Sequence, residues 1–135
     1  MTSRAEIEKI LTSLYAARAR GDVDRTVADL ADDAQFGIYA PGIGGPGLAA
    51  PLQGKPAIMQ AVQGLVAAWR FDNWESLDMV IDGEKAAVRW SADVTNTQSG
   101  KQARLQCVDL IRFTNGKIVD YHQSTDTAMM MKMMQ

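Results

Sequence analysis

The hydrophobic period of this chain changes once. Up to Trp69 the apolar residues recur every three or four positions; from Arg70 onward they recur every second one. These are the periods of amphipathic helices and of half-buried strands. A chain that places its helices first and its strands afterwards has no alternating βαβ units. A doubly wound parallel sheet is therefore excluded, and an α+β domain is expected, in which a curved, mainly antiparallel sheet wraps around three N-terminal helices. The 135 residues suffice for a single domain with one core, so residues 1–135 are read as one unit.

The helical half carries its own punctuation. Ser3-Arg4-Ala5-Glu6 is a capping-box pattern, followed by Ile7, Ile10, Leu11, Leu14 and Ala17, with Gly21 as the stop. Asp22 is placed to cap a second helix carrying Val23, Val27 and Leu30, with Asp29, Asp32 and Asp33 on its wet side as a solvated helix end. Ala34 to Tyr39 fits a short strand. Pro41, Pro46 and Pro51 then alternate with Gly42, Gly44, Gly45, Gly47 and Gly54, so segment 40–55 reads as an irregular lid. Pro56 suits the first turn of a third helix, with Ile58, Val62, Leu65, Val66 and Trp69 along one stripe. Strands are expected over 70–81, 86–97, 102–114 and 117–125, with hairpin turns at Asp82-Gly83 and Thr114-Asn115-Gly116 and a break at Gly100. Five of the eight methionines fall in the tail, residues 127–135, which is expected to fill a gap or meet a partner rather than bind copper.

Composition removes several function classes. Fourteen Lys and Arg against sixteen Asp and Glu leave a net charge of −2, without the basic excess that nucleic-acid backbones demand. No apolar run approaches the roughly 18 residues of a membrane helix, and Met1-Thr2-Ser3-Arg4 leads into a charged helix rather than a signal peptide, so a cytoplasmic protein is expected. The single cysteine, Cys107, and single histidine, His122, make neither an internal disulfide nor a zinc site by themselves; no metal and no cofactor are expected.

Gly21-Asp22, Ala31-Asp32-Asp33-Ala34, the insert ending in Gly54-Lys55-Pro56-Ala57, the hairpin Arg112-Phe113-Thr114-Asn115-Gly116-Lys117-Ile118-Val119 and the closing Asp126-Thr127-Ala128 stand in an order and spacing that resembles the nuclear transport factor 2-like superfamily, in its SnoaL-like and ketosteroid-isomerase-like branch. The resemblance spans nearly the whole chain. It implies a cone-shaped α+β barrel with a deep apolar pocket, often as a homodimer. It implies no single reaction, because the fold carries isomerases, cyclases, hydrolases and modules without activity.

In the strand around Cys107, the residues Ala103, Leu105, Cys107, Asp109, Ile111 and Phe113 share one face, and Asp109 is its only charge. A carboxylate there must be paired, hydrogen-bonded or protonated. By resemblance Asp109 falls where ketosteroid isomerases keep the acid that hydrogen-bonds the developing enolate; the alternative is a structural aspartate bonded to a neighbouring helix. The resemblance implies a protonated acid at this position. The rest of that site does not carry over. The helix-one tyrosine aligns with Leu14, Tyr15 lies about 100° round the helix, and Phe36-Gly37-Ile38-Tyr39-Ala40-Pro41 holds no carboxylate base.

Limonene-epoxide-hydrolase-like members align their acid–arginine–acid set with Trp90, Ala92 and Gln123, so no water activation is expected. The SnoaL-type cyclase acid also aligns with Gln123. Tyr39, Trp90, Ala92, Cys107, Tyr121 and Gln123 are left as candidate contacts for a small apolar ligand, with Asp109 as the candidate catalytic acid. His122 alternates out of register with Tyr121 and Gln123 and is expected outside the pocket. A second acid, Asp93 or Glu75, brought beside Asp109 by a bulge would make a coupled pair. On the opposite sheet face Val108 and Leu110 sit among Arg104, Gln106 and Arg112, which points to a homodimer through the outer sheet.

The expected function is a small-molecule pocket protein, an isomerase, cyclase or hydrolase of acid/base type on an apolar carbonyl-bearing compound. The alternative is a non-catalytic binding or dimerisation module of the same fold.

Overall fold

A computed structural model describes residues 1–43 and 47–135. The first helix, α1 (Arg4–Ala19), starts at a complete capping box in which Ser3 and Glu6 exchange hydrogen bonds. Asp22 caps the short α2 (Val23–Val27) by accepting from the Arg25 amide. There the sequence reading is corrected. The helix ends at Val27 and β1 (Leu30–Ile38) has already begun, so Asp32 and Asp33 stand exposed on a strand and not at a helix end. Leu30 pairs with Ile118 of the last strand and is buried there, a long-range pairing that local helical spacing cannot reveal.

The Pro/Gly segment is tied back to β1 at several points: Ile38 and Ala40 donate backbone hydrogen bonds to Gly47 and Leu48 at 2.8 and 3.1 Å, and β2 (Leu52–Gln53) pairs with β1. Of the expected lid 40–55, the stretch Gly44 to Pro46 lies outside the described residues. α3 (Lys55–Ala68) opens on Pro56 and buries Ile58 and Val62.

Four long strands follow: β3 (Trp69–Asp82), β4 (Lys85–Asn96), β5 (Gln102–Thr114) and β6 (Lys117–Ser124). They form an antiparallel meander, and the Asn115-Gly116 turn has both residues at positive φ, 49° and 76°, as a right-twisted two-residue hairpin requires. β1 adds parallel to β6, giving a six-stranded mixed sheet of order β2-β1-β6-β5-β4-β3 that does not close on itself. Its concave face wraps α1, α2 and α3, and the core lies between them.

The tail is a fourth helix, α4 (Thr127–Met134), capped by Asp126, which accepts from the Met129 amide. Met130 and Met133 are buried against the core, so this end of the tail fills a gap. No helix among the described residues is long and apolar enough to cross a membrane.

Candidate functional site

Strand β5 alternates strictly between buried and exposed residues, which delivers Leu105, Cys107, Asp109, Ile111 and Phe113 to the inside. Asp109 is completely removed from water, yet it is not isolated. Its Oδ2 accepts from the Tyr15 hydroxyl at 2.5 Å, the Tyr121 hydroxyl at 2.5 Å and the Trp90 indole N–H at 2.8 Å. The two hydroxyls lie 3.2 Å apart. Oδ1 has no hydrogen-bond partner.

Each donor comes from a different element. Tyr121 reaches in from β6 and Trp90 from β4, where Val88 is the cross-strand partner of Asp109 and Trp90 that of Cys107. Tyr15 comes from α1, and its ring stacks on Trp74 at 4.8 Å between centroids. Trp74 can face inward because β3 carries two bulges, between Asp72 and Glu75 and between Ser76 and Asp78, which shift the alternation of that strand.

Burial sets the protonation of the cluster. Desolvation pushes the Asp109 carboxyl above its ordinary value, and the three donors oppose it without reversing it. Desolvation also drives both tyrosine hydroxyls well above theirs, with the Asp109 charge adding to the effect, so both stay protonated donors. A proton count then decides what the cluster can offer. With Asp109 charged, three donor protons all point at Oδ2. With Asp109 neutral, the cluster holds one proton more, and a tyrosine hydroxyl that accepts a hydrogen bond from the acid O–H is released to donate elsewhere.

An apolar cavity of about 90 Å³ lies beside the cluster, several times the ~10–15 Å³ that one water needs. Trp90, Cys107, Tyr121 and Gln123 line its sheet side, Leu14, Tyr15, Val27, Ile58, Val62 and Met130 its helical side, and Thr125 lies just past the end of β6. Asp109 is not on this wall. It stands behind Tyr15, Trp90 and Tyr121, which corrects the expectation of a wall-lining acid, because the large side chains around it fill the space between carboxyl and cavity. The expectation for α1 is corrected too. Tyr15 does not point away; it is buried next to Leu14, since α1 turns a broad face of Leu11, Leu14 and Tyr15 to the core.

The other expected contacts divide. Trp90, Cys107, Tyr121 and Gln123 line the cavity. Ala92 is buried in the sheet without lining it. Tyr39 is 66% exposed at the end of β1, its ring 6.3 Å from that of His122, so neither meets the cavity. Asp93 and Glu75 are drawn outward to Arg104, at 3.3 and 2.9 Å, and among the described residues no second carboxylate joins Asp109. Burial pushes the Cys107 thiol up to about 12, where it is no nucleophile, and its Sγ donates to the Thr125 hydroxyl. Among the described residues no cluster of three or more His, Cys, Asp or Glu could hold a metal ion.

Several lining residues escaped the sequence reading, and Arg18 is the charged one among them. Arg18, one turn beyond Tyr15 on α1, places its guanidinium 3.8 Å from the centre of the Phe71 ring, and its Nη2 donates to the carbonyls of Trp69 and Leu65 at 2.9 and 3.4 Å. Desolvation lowers it to about 10, so it is a cation at neutral pH. The helical spacing Leu11, Leu14, Tyr15, Arg18 was the available signal.

A family model for the SnoaL-like domain matches residues 11–121. Among solved structures, a candidate isomerase from Bacillus subtilis superposes with a TM-score of 0.88 at 15% identity, covering 99% of this chain and 96% of that one. An NTF2-like protein from Burkholderia xenovorans gives 0.82 at 21% identity over the whole of both chains. A candidate polyketide cyclase from Xanthomonas campestris gives 0.78 at 16% identity, covering 99% and 100%. No curated protein matches the sequence at a significant level. Identities this low show a shared fold alone, while the family model covers most of the chain: the protein belongs to the SnoaL-like domain family, with the cone-shaped fold of NTF2-like proteins.

Proposed function

We propose that this protein binds a small apolar compound bearing a carbonyl group and polarises that carbonyl with the Tyr15–Asp109–Tyr121 cluster. The observation that carries the reading is the convergence of two hydroxyls and an indole on one oxygen of a buried acid, with both hydroxyl-bearing rings on the cavity wall. When Asp109 is neutral, a tyrosine hydroxyl that accepts a hydrogen bond from the acid O–H donates its own O–H to the ligand oxygen. Donors fixed in a water-poor site stabilise charge developing on that oxygen. This is the electrophilic half of an isomerase or cyclase reaction, and it suits a substrate whose adjacent C–H bonds are already acidic. The neighbours described as an isomerase and a polyketide cyclase agree with this class and do not specify a substrate.

A second reading rests on a specific observation. Among the described residues no carboxylate and no imidazole lines the cavity, and none of the described groups there takes up a proton at neutral pH. The fold would then serve as a binding module. Butyrophenone in D₂O separates the two. Loss of its α-proton NMR signal faster than in buffer, slowed again by Tyr121→Phe, supports catalysis; saturable binding without exchange supports the binding module. Absence of saturable binding refutes both.

A further inference from the structure

Arg18 has no carboxylate partner. None lies within 4 Å of it among the described residues, although eight other ion pairs occur on the surface. Only its Nη2 is engaged, by two backbone carbonyls near the C-terminal end of α3; Nε and Nη1 make no hydrogen bond with the described residues. Arg18 nevertheless lines a largely apolar cavity. A cation in such surroundings is costly unless an anion answers it. Phe71 beneath it contributes through its ring face but does not neutralise it.

Position gives the charge its meaning. Tyr15 and Arg18 are three residues apart on α1, and side chains at that spacing stand about 5–6 Å apart at Cβ on one helix face. Both line the same cavity. A ligand with its oxygen at the hydroxyl cluster therefore shares its cavity with Arg18. We propose that Arg18 anchors a carboxylate of the ligand, so that the cavity is built for apolar oxo-carboxylic acids whose ketone and acid groups are separated by about two carbons. The inference rests on the carbonyl-binding reading above and adds the substrate class.

The competing explanation is purely structural, since a cation at the end of α3 also favours its unpaired carbonyls. Binding of four matched probes to the purified protein, followed by tryptophan fluorescence, tells the explanations apart: benzoylpropionate, its methyl ester, butyrophenone and phenylbutyrate. The wild type is expected to hold benzoylpropionate at least about tenfold more tightly than the ester, as a charge-assisted hydrogen bond implies. In Arg18→Met this preference disappears while butyrophenone still binds. A wild type that prefers the ester, shows no preference or binds neither overturns the proposal, and this arm needs no variant. Should Arg18→Met fold and keep the preference, the proposal is overturned as well. Phenylbutyrate binding as tightly as benzoylpropionate, with both weakened by Arg18→Met, would support the anchor and remove the carbonyl site instead.

Discussion

Replacing Asp109 in two ways separates what its shape does from what its charge does. Asp109→Leu removes the acceptor of three buried donors. The tyrosine hydroxyls, 3.2 Å apart, can satisfy one proton between themselves, and the other can turn towards the cavity. The Trp90 N–H has no such escape. One to two orphaned donors at about 1–3 kcal/mol each give a destabilisation of about 1–6 kcal/mol. Asp109→Asn keeps a carbonyl oxygen for the same donors but sets its amide where Oδ1 has no partner, so it should lose about 1–3 kcal/mol, less than the Leu variant because the three original donors stay satisfied.

The pH dependence has a definite sign. Because the folded-state pKa of Asp109 is raised, the folded protein holds a proton that the unfolded chain has released between the ordinary carboxyl value and the raised one. In that window the stability contribution of this group falls as pH rises, and it is fully present only below the ordinary value. The lowered carboxyls of Glu6, Asp22, Glu84 and Asp93 act oppositely, losing their contribution as pH falls through the acid range. Urea unfolding of wild type and Asp109→Asn across pH 4–8, read by tryptophan fluorescence, should show a downward slope with pH in the wild type that the variant lacks. Identical slopes, or an Asn variant as unstable as the Leu variant, would refute the assignment of a buried, proton-holding acid.

Cys107, with its thiol at about 12, should react with a neutral thiol reagent only as fast as the protein unfolds; labelling at the free-thiol rate under native conditions would contradict its burial. Met130→Ala removes a buried side chain from both core and cavity wall and should cost about 2–5 kcal/mol by thermal or urea unfolding. The outer sheet carries a row in which Val80, Ala87, Leu110 and His122 are cross-strand neighbours, flanked by the Asp78–Arg89 and Asp120–Arg112 pairs, with Leu110 57% exposed. We propose that a second copy covers it: sedimentation should give a dimer that Leu110→Lys dissociates, and a wild-type mass of 14.7 kDa at micromolar concentration would remove this surface from the account.

The strands were legible because their pattern is local. β5 alternates without a fault, and its expected bounds, 102–114, are those observed. The caps at Ser3 and Asp22 were legible for the same reason, since a cap involves neighbours within one turn. What failed depended on distant partners. β1 begins at Leu30 because Ile118 pairs with it, more than eighty residues away. Asp109 stood out as the one charge on an apolar face, but its donors come from three other elements, and strand alternation cannot show that large rings would screen it from the cavity. Tyr15 was misplaced by alignment to Leu14, although helical spacing from Leu11 already allowed both to be buried. Trp74 depends on bulges in β3, which no period-two reading anticipates.

The most direct measurement on the carbonyl site is the infrared stretch of a ketone bound in the cavity. Butyrophenone labelled with ¹³C at its carbonyl, in difference spectra against free ligand, should show a band below its position in hydrocarbon solvent, as expected for a carbonyl that accepts hydrogen bonds from the tyrosine cluster. The shift should shrink in Tyr121→Phe and again when Tyr15→Phe is added. A bound ketone whose band lies at the hydrocarbon position, unchanged by either substitution, would mean that the cavity holds its ligand by apolar contact alone and that the Tyr15–Asp109–Tyr121 cluster only braces the fold.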